Sequence, residues 1–172
     1  MTSLIPTLTA ERPLTGMRIL SLAEQYPGPL ATMLLADLGA DVILVERPGS
    51  GDPSRRFAGH FAALNRNKRS VVLDLKSDAG KNAFVGLIAT ADALVEGFRP
   101  GVMARLGFGP EDVARTHPEL VYASISSFGQ SGAFSHLAGH DLSVQGVAGL
   151  LDPALGVEPG GPLQVLPLAD IA

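Results

Sequence analysis

Cysteine is absent from the 172 residues, charged residues make up only 17% of them, and no apolar run approaches the length of a membrane span. Without cysteine there is neither a disulfide framework nor a Cys-ligated zinc site, and nothing argues for an oxidising compartment. Met1 to Arg12 lacks the apolar core of a signal peptide, so a cytoplasmic protein with no membrane partner is expected. Apolar residues, in contrast, are abundant: at 46% hydrophobic the chain can bury one sizeable core, and its length fits one domain. So high an apolar share fits a piece that normally buries surface against a missing half or a second subunit.

A formal charge of −4 speaks against nucleic acid as partner, yet the positive charge is unevenly placed. Of thirteen Lys and Arg, seven (Arg47, Arg55, Arg56, Arg66, Lys68, Arg69 and Lys76) lie between positions 47 and 76, against two acids, Asp52 and Asp74. Such a run is ordinarily a solvated face. Its place at strand ends and loops turns it toward an anion site, short enough to suit a small polyphosphate better than DNA.

Strand-like and helix-like segments alternate along the chain. Strands are expected at Met17 to Ala23, Asp41 to Glu46, Ser70 to Leu75, Asp92 to Glu96 and Leu120 to Ser126. Helices are expected from Pro29 to Leu38, stopping at Gly39, and from a Ser77 N-cap to about Ala91. Shorter ones follow near Val102 to Leu106 and Pro110 to Thr116. Beyond a loop from Ser127 to His140 a helix should run from Asp141 to about Leu151, and a last strand, Leu163 to Leu168, should end just before Asp170. No internal repeat is evident. The alternation predicts a Rossmann-like, mostly parallel α/β sheet with helices on both faces, whose ligands sit outside the carboxyl ends of the strands.

Three familiar chemistries are set aside. Glu46 closes the second strand where a ribose-binding acid would lie, but the preceding turn, Ala23-Glu24-Gln25-Tyr26-Pro27-Gly28, has one glycine where a dinucleotide fingerprint needs three, which excludes NAD. Gly129-Gln130-Ser131-Gly132 has its second glycine one residue too early for a nucleophile elbow. His136 and His140 stand four apart, yet Gly139 lies between them and no third ligand follows, so no metal site is expected. His60 and His117 have no acidic or metal-ligand context.

His140, in Ala138-Gly139-His140-Asp141-Leu142, and Asp170 are the candidate catalytic pair, since an imidazole and a carboxylate are the usual side chains for moving a proton at carbon. The bland reading of His140 is a residue preceding a helix whose N-cap is Asp141. The same helix start presents free N–H groups to an oxygen gaining charge. Asp170 reads either as a cap or surface acid, or as a reacting group at a strand end.

Six ordered motifs carry a resemblance: Gly28-Pro29-Leu30-Ala31, Leu35-Ala36-Asp37-Leu38-Gly39-Ala40-Asp41-Val42, Val45-Glu46-Arg47-Pro48-Gly49, Asn65-Arg66-Asn67-Lys68-Arg69, Gly97-Phe98-Arg99-Pro100-Gly101 and the His140 segment. From Leu14 to Ala172 the chain resembles the N-terminal half of a class III CoA-transferase, the family that also holds alpha-methylacyl-CoA racemase. The resemblance implies residues 1–13 as an arm and 14–172 as a CoA-binding α/β domain, ending before a small domain and a C-terminal part. It implies an acyl-CoA thioester as substrate, no cofactor beyond coenzyme A, and a homodimer for a full-length member. CoA contacts are implied at Arg47, at Leu73, Asp74, Leu75 and Lys76, at Gly97, Phe98 and Arg99, at Arg105, and at Gly139, Asp141, Leu142 and Ser143. Racemase members resemble the chain in a His within Gly-His-Asp and an Asp thirty positions on, the spacing of His140 and Asp170. Transferase members resemble it around the Asp and typically lack that His. Two-base racemisation of a 2-methylacyl-CoA is therefore the leading expectation, CoA transfer through an Asp170 anhydride the second, and a binding piece without chemistry the third.

Overall fold

The computed structural model of the chain describes residues 12–150 and 168–171. The two segments richest in apolar and β-branched residues form the middle of the sheet. These are β1 (Arg18–Leu22) and β2 (Asp41–Glu46), each buried on both faces after its first residue. Beside them lie β3 (Arg69–Val72), β4 (Ala93–Glu96) and β5 (Val121–Ser124), in the order β3-β2-β1-β4-β5, with every neighbouring pair parallel. A parallel sheet must be covered on both sides, and the pleat of β1 shows how. Leu20 and Leu22 face a core with Phe84, Ile88, Met103, Phe108 and Val113, while Ile19 and Ala23 face a second core with Ala36, Ala40 and Val42.

Helix α1 (Pro27–Asp37) covers the second core. It begins on a proline, whose missing N–H costs nothing in a first turn, and its end is followed by Gly39 in the left-handed region at φ +105°. Helix α3 (Asp78–Ile88) covers the other face, N-capped by the Ser77 hydroxyl, which accepts from Gly80 N at 3.0 Å. Phe84 is fully buried edge-on against Phe108, ring centroids 4.8 Å apart, an arrangement that adds about 1 kcal/mol to its area burial. Helices α4 (Val102–Leu106) and α5 (Pro110–Thr116) complete this layer.

Three sequence expectations change. The stretch after β2 is not a plain basic loop: it holds a 3-10 turn, Pro53–Arg56, and helix α2 (Ala58–Leu64), started by the Asp52 carboxylate accepting from Ser54 N at 2.7 Å. Helix α6 (Asp141–Val147) begins on Asp141 rather than being capped by it, with His140 in the extended cap position, its side chain making no cap bond. Of the expected strand Leu163 to Leu168, residues 163–167 lie outside the described residues, and Leu168 opens a single helical turn, α7 (Leu168–Ile171), so that Asp170 is helical. Residues 1–11 of the expected arm likewise lie outside them. No helix among the described residues is long and apolar enough to cross a membrane.

Candidate active site

The winding of the sheet reverses between β1 and β4, and in an open parallel sheet the crevice at that reversal is where ligands bind. A cavity of about 500 Å³ opens there. Its floor is the turn from β1 into α1, residues 23–28, and one wall is Gly97-Phe98-Arg99-Pro100 at the end of β4. Across from these stand residues 125–128 past β5, the stretch 137–140, and Ala169 and Asp170 of α7. His140 and Asp170, thirty residues apart in sequence, thus border one cavity.

Close backbone approaches build this floor. A Cβ on Gly28 would stand 2.1 Å from the Ala23 Cβ, so only glycine lets α1 start against the end of β1. A Cβ on Gly139 would stand 2.4 Å from the Ser127 Cβ, so the stretch carrying His140 lies directly on the loop after β5. Gln25, on the floor, holds a left-handed backbone at φ +70°, a strain of about 1 kcal/mol for a residue with a side chain. Its N–H donates to both oxygens of the buried Asp52 carboxylate, at 3.3 and 3.2 Å, which holds the turn in place.

Charge in the cavity is uneven. Asp170 has its carboxyl pushed above the ordinary aspartate range, first by burial and then by the Asp141 carboxylate, with His140 opposing. Glu24 is also raised, first by burial, with Arg47 at 3.7 Å pulling it back. Arg99 borders the cavity, and its guanidinium makes no hydrogen bond or ion pair among the described residues.

Six of the seven cations between 47 and 76 divide by role. Arg55 clasps the buried Glu46, Arg66 clasps Asp37, and Arg69 clasps Asp41. Lys68 donates to Pro29 O at 2.8 Å and to Asn65 Oδ1 at 2.9 Å, and burial lowers its pKa to about 8. Arg55 and Arg56 also lie over the rings of Phe61 and Phe57. These five tie α2 and its flanks to α1, β2 and each other. Arg47 stays 54% exposed at its side chain, donating to Gly51 O at 3.1 Å. Glu46, where a ribose-binding acid would lie, is 4% exposed and has its pKa lowered to about 2, first by the Arg55 hydrogen bonds, then by the Ser70 hydroxyl and Asp52 N–H.

Of the residues read from the sequence as CoA contacts, Gly97, Phe98, Arg99 and Gly139 border the cavity. Arg47 touches it through Glu24. Leu73, Asp74, Leu75 and Lys76 lie in the turn between β3 and α3, and Arg105 lies on α4. Asp141, Leu142 and Ser143 form the first turn of α6. Glu24, Gln25 and Tyr26 on the floor were missed by the sequence reading. An acid directly after an apolar strand was the available sign for Glu24, the same one that drew attention to Asp170. The described residues contain no group of three or more His, Asp or Glu placed to hold a metal ion.

Known proteins are similar to the chain in sequence and in fold. The chain is 44% identical over 162 residues to alpha-methylacyl-CoA racemase of Homo sapiens, covering 92% of this chain and 40% of that protein. It is 40% identical over 160 residues to acetyl-CoA:oxalate CoA-transferase of Acetobacter aceti, covering 89% and 41%. A CAIB/BAIF family protein from Brucella suis superposes with a TM-score of 0.82 at 35% identity, over 92% of this chain and 44% of that one. The chain thus spans about two fifths of the length of the curated relatives it matches. Residues 14–172 match the family described as CoA-transferase family III, and the chain belongs to that family.

Proposed function

We propose that this chain carries the CoA-binding half and the proton-transfer pair of a 2-methylacyl-CoA racemase or epimerase. The observation that supports it is the meeting of His140 and Asp170 at one cavity at the reversal of the sheet. Racemisation beside a thioester needs one group to take the α-proton from one face, leaving an enolate, and another to return a proton on the opposite face. Burial raises the proton affinity of Asp170 above that of an ordinary aspartate, which makes it a stronger base toward a proton at carbon. Arg99, Gly97 and Phe98 on the wall, together with Arg47 and Arg105, are proposed to meet the CoA moiety. Leu73, Asp74, Leu75 and Lys76, with Gly139, Asp141, Leu142 and Ser143, complete the proposed contacts. The proposed working form is a homodimer.

CoA transfer is the second reading, supported by the relatives named as CoA-transferases at 40% identity. There the Asp170 carboxylate attacks the thioester carbonyl and expels CoA thiolate, giving a mixed anhydride. The test uses the intact protein with a pure 2-methylacyl-CoA stereoisomer in deuterated water, and separately with an acyl-CoA plus a free carboxylate. Deuterium at the α-carbon, lost for one stereoisomer in His140→Ala and for the other in Asp170→Asn, is the expected result. CoA exchange that vanishes in Asp170→Asn and survives His140→Ala, with no α-exchange in any version, overturns the racemase reading in favour of transfer. With neither reaction, the chain only binds acyl-CoA.

A further inference from the structure

We propose that Asp141 is a positioning residue, fastening the backbone that carries Asp170 to the start of α6 and holding a negative charge beside the Asp170 carboxyl. This role is separate from any contact with CoA, and it rests on the reading of Asp170 as a reacting group.

The two oxygens of Asp141 are divided between two elements. Oδ1 accepts from Ala169 N at 2.8 Å and from Asp170 N at 3.3 Å, while Oδ2 accepts from the Gln145 side-chain amide one turn further along α6. Gln145 is only 2% exposed, so the carboxylate is anchored from its own helix before it reaches across. On the other side the span is short. Helix α7 is four residues long, and one turn of helix does not persist by its own hydrogen bonds. Its packing against α6 and α1 fixes its place, and the Asp141 bonds fix the two backbone amides nearest the reacting carboxyl.

The charge has a second effect. Asp170 sits in a cavity whose other ionisable or charged side chains are Glu24, Tyr26, Arg99 and His140. After burial, the like charge of Asp141 is the next largest influence raising its proton affinity, and His140 opposes it. A base beside a thioester gains strength from such a neighbour, because proton abstraction at carbon needs a stronger base than an ordinary aspartate.

Two substitutions in the intact protein separate the two effects without any substrate. Asp141→Asn keeps an acceptor oxygen toward Ala169 and Asp170 and loses the charge, and the Gln145 amide can turn over to match it. Asp141→Ala loses both. The readouts are the titration of 13C-labelled aspartate carboxyls and the hydrogen exchange of the Ala169 and Asp170 amides. In Asp141→Asn, Asp170 titrates at lower pH than in the parent while the two amides exchange as before. In Asp141→Ala they exchange about tenfold faster, the change expected for one lost hydrogen bond of ordinary strength. A purely structural carboxylate would not move the titration in the Asn variant. An Asp170 titration unchanged in Asp141→Asn, or amide exchange unchanged in Asp141→Ala, overturns the proposal. A parent without α-proton exchange removes the racemase reading and leaves both of these readouts standing.

Discussion

Strands β2 and β4 flank the central strand and end alike, in Val45-Glu46-Arg47-Pro48-Gly49 and in Val95-Glu96-Gly97-Phe98-Arg99-Pro100-Gly101. Both glutamates are 4% exposed, and each accepts a backbone N–H from the loop that follows, Asp52 N at 2.9 Å and Phe98 N at 2.7 Å. There the likeness stops. Glu46 is also gripped by the Arg55 guanidinium and the Ser70 hydroxyl, whereas no cation among the described residues stands within ion-pair distance of Glu96. The first carboxylate thereby fixes a whole loop and its arginine partner as architecture. The second fixes only the residue two positions on, and its arginine is left open to the cavity. One local device ties down an arginine on one side of β1 and leaves one facing the cavity on the other.

The difference is broken most sharply at Glu46. Its carboxyl titrates at about 2 in the folded chain against an ordinary 4.5, so its stabilisation is fully present above pH 4.5 and lost as pH falls through 2. Glu46→Gln should lower unfolding stability at pH 7 by about 3 kcal/mol, read as a shift in urea midpoint, and should flatten the acid limb. Equal midpoints for variant and parent would reduce Glu46 to an ordinary surface acid. Next comes Arg99→Ala, expected to weaken CoA binding by about 2 kcal/mol through loss of a charge-assisted phosphate contact, with the melting curve unchanged. Calorimetry showing parental affinity would take Arg99 out of the site.

Glu96→Gln should then stay within about 1 kcal/mol of the parent in urea, because the amide oxygen still accepts from Phe98 N and no paired cation is orphaned. A loss as large as that of Glu46→Gln would erase the contrast between the two strand ends. The smallest effect concerns Arg47, which under the proposed CoA contact a phosphate would have to win from Glu24. Glu24→Gln should tighten CoA binding by about 0.5 kcal/mol, the scale of a partly exposed pair, and weaker binding would mean that Glu24 assists the ligand instead.

All five strands and four of the helices within residues 12–150 were legible in the sequence to within about three residues, because apolar runs and caps such as Ser77 act locally. The 3-10 turn and α2 were not, although Asp52-Pro53 is itself a helix-start pair: the dense arginines read as a ligand surface. Their true partners, Asp37, Asp41 and Glu46, lie between 9 and 29 residues away, and no local pattern announces such pairings. The same distance hid Asp141, whose neighbours in sequence mark a helix start and whose partners are 28 and 29 residues on. Asp170 drew attention through an expected strand end, yet it sits in a helical turn. That helical turn, not a strand end, is what brings it to the cavity.

The central position of β1 also orders events as the chain folds. Its partner on one side, β2, closes a loop of 23 residues from Arg18 to Asp41, while β4, on the other side, closes one of 74 from Arg18 to Asp92. Loop closure grows costlier with length, and distant parallel pairings are slow to form. The half of the sheet bearing Glu46 and α1 is therefore expected to assemble first. The wall that completes the cavity arrives only when β4 docks, so a chain stopped before residue 90 would have the floor of the cavity without that wall.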